Sequence, residues 1–335
     1  MFDRFDDVAA RELRWQTVED AAQPTLFDVP EREIGTGEFR GLEFLHVHAR
    51  TIINKVGPKS PVPFRYTINA YRGCSMSCRY CFARPTHEYL NLDPSTDFDR
   101  VIVAKVNAVE KLRAELAPRR WQGDHIAMGT NTDPYQRAEG KYRLTQGIIE
   151  VLGEARNPFS ILTKGTLVLR DLDRLVEASR TTNVELCFSI GTLDEDVWRA
   201  TEPGTPHPRK RVEAVARLND VGIPCGVLVA PILPGLSDRR EQLEEVVRAC
   251  VDAGAPSISP VLLHLRPGVK EHYLAWLADA RPDLLDQHQR LYRGSYAPAH
   301  ERDRVTQLVR YLVHEHRKAS TGAKAPRLSS RFDPG

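Results

Sequence analysis

The sequence has no apolar run approaching the roughly 18 residues of a membrane span, so no crossing helix is expected. Its opening stretch, Met1 to Gln16, mixes acidic and basic residues without an apolar core, so no secretory leader is expected either. A charge surplus is also missing. Lys and Arg total 47 against 45 Asp and Glu, and a net charge of +2 offers no bulk argument for nucleic acid. There is no internal repeat. Only six cysteines occur, and Cys187, Cys225 and Cys250 lie far apart. The other three share one short loop and cannot pair fully among themselves. A reducing cytosol is the simplest setting for such usage. What is present, 335 residues that are 41% hydrophobic and 27% charged, suits a globular protein with a large core. An α/β barrel of this length runs as a single domain.

Residues 1–60 read as an irregular polar extension with apolar anchors at Leu42, Phe44 and Leu45. From Tyr66 to Leu265, strands alternate with helices. Strands are predicted at Tyr66–Ala70, His125–Gly129, Ser160–Thr163, Val184–Ile190, Gly226–Ala230 and Ser257–Leu263. Helices are predicted at Val106–Leu116, Leu144–Ala155, Asp171–Ala178, Arg209–Val221 and Arg239–Ala253. In the last of these, Leu243, Val246, Val247 and Cys250 form the stripe of a helix docking on a sheet. Such alternation argues for parallel βαβ units over residues 61–266. Helices at Val269–Ala278 and Glu301–Lys318 are expected to cover one barrel end, as a cap spanning 267–318. The tail 319–335, rich in Ser, Gly, Pro and basic residues, is expected to be disordered.

The chemistry concentrates in Cys74-Ser75-Met76-Ser77-Cys78-Arg79-Tyr80-Cys81, a C-x3-C-x2-C loop that follows the first predicted strand. Three thiolates can hold three irons of a [4Fe–4S] cluster and leave the fourth open to a chelating substrate. Cys74, Cys78, Cys81 and His87 could instead make a Cys3His zinc site, since zinc accepts those ligands tetrahedrally. A zinc-bearing or iron–sulfur nucleic-acid-binding protein therefore stands as the alternative, with Tyr71, Arg72, Arg79, Tyr80 and Phe82 as interleaved aromatics and cations. A pure electron carrier would want a fourth cysteine nearby, and the sequence has none.

Ligands gather at the carboxyl ends of strands in parallel α/β folds. Thr130, Asn131, Thr132 and Asp133 follow the second strand, where they would hold a polar group or simply build a turn. Lys164 ends the third strand as a free point charge or a solvated lysine. In the fourth, alternation sends Leu186, Phe188 and Ile190 to the helices and Glu185, Cys187 and Ser189 into the barrel. Ala230 to Asp238 carries two prolines and a glycine that fix the backbone after strand five. The basic run Arg209-Lys210-Arg211 reads as a solvated helix start.

The cysteine loop resembles that of the radical S-adenosylmethionine (SAM) superfamily. Together with Gly129–Tyr135, Thr163–Arg170, Glu202-Pro203-Gly204-Thr205-Pro206 and Val229–Asp238, it resembles the spore photoproduct lyase-like branch over about Thr51 to Arg266. The resemblance implies a partial (β/α)6 TIM-like barrel. It implies a [4Fe–4S] cluster on Cys74, Cys78 and Cys81, with SAM cleaved to a 5′-deoxyadenosyl radical. An electron donor such as flavodoxin or ferredoxin would supply the reducing electron. Asn131 and its neighbours would meet the SAM amino group, Lys164 its carboxylate, Ser189 its ribose, and Phe82 and Ile232 its adenine. The repair enzyme of this branch carries a hydrogen-donating cysteine where this chain has Thr130. Cys187 is the one remaining candidate for that relay.

Overall fold

The computed structural model describes residues 31–323, except 59, 61, 119 and 120. The readings made for residues 1–30 and 324–335 lie outside the described residues. Among the described residues the strands are β1 (Glu31–Ile34), β2 (Glu43–Val47), β3 (Ile53–Lys55), β4 (Tyr66–Ile68), β5 (Tyr71–Arg72), β6 (Val101–Lys105), β7 (Ile126–Met128), β8 (Phe159–Thr163), β9 (Val184–Ser189), β10 (Cys225–Ile232) and β11 (Ile258–Leu262). The α-helices among the described residues are α1 (Ala108–Leu116), α2 (Arg137–Tyr142), α3 (Leu144–Glu154), α4 (Leu172–Ser179), α5 (Glu195–Thr201), α6 (Pro208–Asp220), α7 (Arg240–Asp252), α8 (Val269–Ala280), α9 (Pro282–Leu291) and α10 (Ala299–Ala323).

The main sheet runs β11-β10-β9-β8-β7-β4-β3, with every pair parallel except β3 against β4. Six parallel strands with crossover helices form the expected partial (β/α)6 barrel, open between β3 and β11. Helix-facing residues of adjacent strands lie in register, as in Phe159 beside Val184 and Phe188 beside Val227. They merge with Ile148, Leu152, Val215, Leu218, Val246 and Val247 from the helices into one core. The burial alternates along β8 and β9, with the helix-facing side chains Phe159, Ile161, Leu186 and Phe188 buried.

Two parts of the sequence reading need correction. Residues 31–55 are not irregular: β1 and β2 pair antiparallel, and β2 lies parallel to β6 in a second sheet ordered β1-β2-β6-β5. β6 is buried at all five positions, yet it went unassigned. A predicted helix begins directly after it and masks its end. The second correction concerns α10. This helix lies along β11 and α7, on the flank of the barrel and not over its end, and Val305, Val309 and Leu312 join the main core. It also runs to Ala323, into the stretch expected to be disordered. α8 and α9 do stand at the barrel end, where Val269, Tyr273, Leu277 and Tyr292 pack with the cysteine loop. Among the described residues no helix is long and apolar enough to cross a membrane.

Candidate active site

The cysteine loop leaves β4 by way of the two-residue β5 and is pinned at several backbone positions. Gly73 takes φ +76°, and a Cβ there would lie 2.6 Å from the Val101 carbonyl oxygen, so glycine is required. The buried Gln136 side chain donates to the Gly73 carbonyl at 2.9 Å and accepts from Ser75 N–H at 3.1 Å, bracketing Cys74. The buried Arg84 donates to the Cys78 carbonyl at 3.2 Å and grips both Asp99 oxygens at 2.8 and 2.9 Å. From the far side, Arg79 N–H donates to the Thr201 carbonyl at 2.9 Å and Gly204 N–H to that of Met76 at 3.1 Å. Gly204 presses so close that a Cβ would sit 2.3 Å from Ser75 O.

Cys74, Cys78 and Cys81 line one side of a cavity of about 240 Å³. The opposite side is built from strand ends: Asn131, Thr132 and Asp133 after β7, Lys164 after β8, Ser189 on β9, Ala230 and Pro231 on β10, and Leu263 and His264 after β11. Phe82 stands at the rim, 42% exposed, with its ring centroid 6.3 Å from that of His264. Burial pushes all three thiols up. Without a metal they are neutral, and a metal binds by displacing their protons. Among the described residues no three His, Cys, Asp or Glu side chains converge on a single-ion site. His87 does not line the cavity with the cysteines; its Nε2 meets the Val101 carbonyl at 3.0 Å. The Cys3His zinc arrangement is therefore not assembled. Three soft donors spread around one cavity fit a group that carries several metal atoms.

Behind the strand ends lies a buried charge cluster. Lys164 Nζ donates to Ser189 Oγ, reaches the Ala230 carbonyl at 3.5 Å and lies 3.4 Å from Glu202 Oε1. It also sits 5.8 Å from the Tyr80 ring centroid. Glu202 accepts from Arg211 Nη2 at 2.5 Å and from the Tyr80 hydroxyl. Burial pushes the Glu202 carboxyl up, but Arg211, Lys164 and the hydrogen bonds outweigh it and hold the group down at about 2. Arg211 further donates to the Ser189 carbonyl at 3.1 Å and to that of Pro206 at 3.0 Å. The basic run thus splits. Arg209 and Lys210 are solvated and pair with Glu245 and Glu213, whereas Arg211 is buried.

The cavity gathers Cys74, Cys78, Cys81, Phe82, Asn131, Thr132, Asp133, Lys164 and Ser189, and leaves out three predicted residues. Thr130 is not on its lining. Cys187 lies two residues below Ser189 along β9, about 6.6 Å deeper, and does not line it. Ile232 is fully buried in the core, because the β10–β11 register shifts between Val229 and Ile232. Ala230 and Pro231 take the wall instead. Asp133 lines the cavity, but its oxygens accept from Thr163 Oγ1 at 2.6 Å, Lys164 N–H at 2.7 Å and Tyr135 N–H at 2.9 Å, so it braces the loop. Sequence reasoning gave no role to Glu202, Arg211 and His264. The signal for Glu202 was its place in the Glu202-Pro203-Gly204-Thr205-Pro206 segment that carries the family resemblance.

A thiol loop at the carboxyl ends of a partial (β/α)6 barrel defines a class, and the comparisons agree. The family model of the radical SAM superfamily matches residues 68–250, and the chain belongs to that superfamily. Its members generally use a [4Fe–4S] cluster and SAM. Among solved structures, spore photoproduct lyase complexed with dinucleoside spore photoproduct shares the fold. It superposes with a TM-score of 0.61 at 18% identity, over 82% of this chain and 79% of that one. An uncharacterised protein of Mycobacterium tuberculosis (strain H37Rv) is 42% identical over 311 residues, 92% of each chain. An uncharacterised protein of Methanocaldococcus jannaschii is 29% identical over 197 residues, 59% of this chain and 70% of that one.

Proposed function

We propose that this chain is a radical SAM enzyme in which Cys74, Cys78 and Cys81 hold a [4Fe–4S] cluster and the adjoining cavity takes SAM. The observation that carries this reading is the convergence of three thiols from one loop and one cation, Lys164, on a single cavity. With an electron from flavodoxin or ferredoxin, the bound cluster and SAM supply a 5′-deoxyadenosyl radical, chemistry that belongs to the cofactors. The chain does the rest. Lys164 offers a point charge to the SAM carboxylate. Ser189 orients that ammonium and faces the ribose. Asn131 and Thr132 present polar groups beside the amino group, and Phe82 flanks the adenine at the rim. Leu162, Leu228, Val261 and Leu263 form apolar walls that keep water from the reacting centre.

The substrate is a molecule that brings a hydrogen-bearing carbon to the cavity mouth, with a nucleic-acid lesion as the class suggested by the fold's likeness to the lyase. Spore photoproduct itself is a poor fit. Its reversal needs a hydrogen returned to the product radical, and a hydroxyl bond is far too strong to give one readily. Thr130 therefore cannot serve. The only thiols on the cavity lining are the three loop cysteines, since Cys187 lies below it. Anaerobically reconstituted protein is expected to be brown, to hold about four irons per chain and to form 5′-deoxyadenosine from SAM under reduction. Stoichiometric zinc without visible absorption would overturn the reading. Multiple-turnover repair of a spore-photoproduct dinucleotide would overturn only the substrate argument.

A further inference from the structure

We propose that Glu202 is a positioning residue: one carboxylate aims the Lys164 ammonium into the cavity and fastens the cysteine loop opposite, so that recognition of the SAM carboxylate depends on it. The identity of the ligand rests on the radical SAM reading above; the role of Glu202 goes beyond it.

Lys164 ends β8 on a flexible four-carbon stem, and such a stem needs partners to hold one direction. Of the partners that its Nζ meets, Ser189 Oγ and the Ala230 carbonyl are neutral. Glu202, at 3.4 Å, is the one anion. Glu202 is itself immobilised just beyond the end of α5. Its Oε2 takes Arg211 Nη2 at 2.5 Å and Thr205 Oγ1 at 3.3 Å, while its Oε1 faces both Lys164 and the Tyr80 hydroxyl. Tyr80 lies between Cys78 and Cys81, so the carboxylate that orients the cation also registers the loop.

The charges give a second argument. Two buried cations, Lys164 and Arg211, share one anion, Glu202. Asp133, on the same lining, spends its oxygens on Thr163 Oγ1 and on the N–H groups of Tyr135 and Lys164, so Glu202 is the carboxylate that directs the Lys164 ammonium. Without Glu202, two cations would face each other behind apolar walls, and the ammonium would lose its fixed direction. Buried ion pairs contribute little net stability as a rule, and their best-attested use is to specify geometry.

The test compares equilibrium binding of SAM with that of decarboxylated SAM, in full-length reconstituted protein without reductant. Wild type is expected to prefer SAM. Lys164→Ala and Glu202→Gln should each cut that preference at least tenfold, with little change toward the decarboxylated compound and iron content retained. A structural role alone would weaken both ligands alike and leave the preference intact, which would overturn the proposal. If Glu202→Gln fails to fold or to hold iron, Glu202→Asp decides. It keeps the charge for Arg211 but draws back from Lys164, so the preference should still fall severalfold, and an unchanged preference overturns the proposal. The two readings fail separately. Wild type that binds neither iron nor SAM sinks the radical SAM reading. Wild type whose preference depends on Lys164 but not on Glu202 sinks this inference alone.

Discussion

The two walls of the cavity are held by different forces. The cysteine wall is fastened through its backbone: Gln136, Arg84, Thr201 and Gly204 all bond to main-chain groups of residues 73–79. The strand-end wall is fastened through its side chains, with Lys164, Glu202 and Arg211 in a charge cluster. Backbone clamps fix where the thiols stand and are indifferent to charge. The charge cluster fixes a single ammonium and reaches the loop through the Tyr80 hydroxyl on Glu202. The first wall should therefore fail by displacement, all at once, and the second by graded loss of affinity.

The largest effect should come from the first wall. Cys78→Ala should abolish bound iron and SAM cleavage together, read by iron analysis and by 5′-deoxyadenosine release. Gly204→Ala comes next. Its methyl group would sit 2.3 Å from Ser75 O, where only backbone movement relieves the clash. Overpacking of this kind costs about 1–3 kcal/mol. Bound iron should fall by more than half while the far-ultraviolet circular dichroism stays native; full iron content would show that the loop yields more easily than its clamps suggest.

On the second wall, Lys164→Ala and Ser189→Ala should keep the cluster and weaken SAM binding. Each loses a polar contact worth on the order of 1–3 kcal/mol, about 5- to 150-fold in affinity. Unchanged SAM affinity in both variants would mean that the cofactor is misplaced. A smaller effect is expected in acid. The Glu202 carboxyl is held at about 2 in the fold against 4.5 for an ordinary glutamate. A depressed group stabilises the fold fully above its unfolded value and loses that contribution as pH falls through the folded value. The stability gap between wild type and Glu202→Gln should thus be widest above pH 4.5 and shrink toward pH 2, as followed by denaturant unfolding. Smallest of all, Thr130→Ala and Cys187→Ala should alter SAM affinity by no more than about 0.5 kcal/mol, because neither residue lines the cavity.

The same contrast governs what could be read from sequence. The six parallel strands were legible because their apolar residues recur between helical stretches at βαβ spacing. β1 was not, since Glu31-Arg32-Glu33-Ile34 carries three charges in four residues and has only one partner strand. Cys74, Cys78, Cys81, Lys164 and Ser189 were legible because each belongs to a strand end or to a spaced motif. Glu202 and Arg211 were not, because their meeting depends on how the turn between α5 and α6 folds back toward β9. Periodicity does not encode that. Asp133 was singled out for its polarity, but only the folded loop shows its oxygens already engaged. Ile232 lies off the cavity for a local reason, a register shift that no strand pattern announces.

Helix α10 carries a consequence for the boundaries of this protein. The superfamily segment stops at residue 250, inside α7. The core does not stop there, because Val305, Val309 and Leu312 still pack into it from α10. The matched family segment and the packed core thus end at different places along the chain. A fragment trimmed to the matched segment would lack β11 altogether and leave α7 without its covering helix. It would behave as an aggregating half-protein, not as a minimal catalyst. Genetic fusions and split versions should therefore be joined beyond α10, and the evolutionary unit that can be shuffled intact is nearly the whole chain.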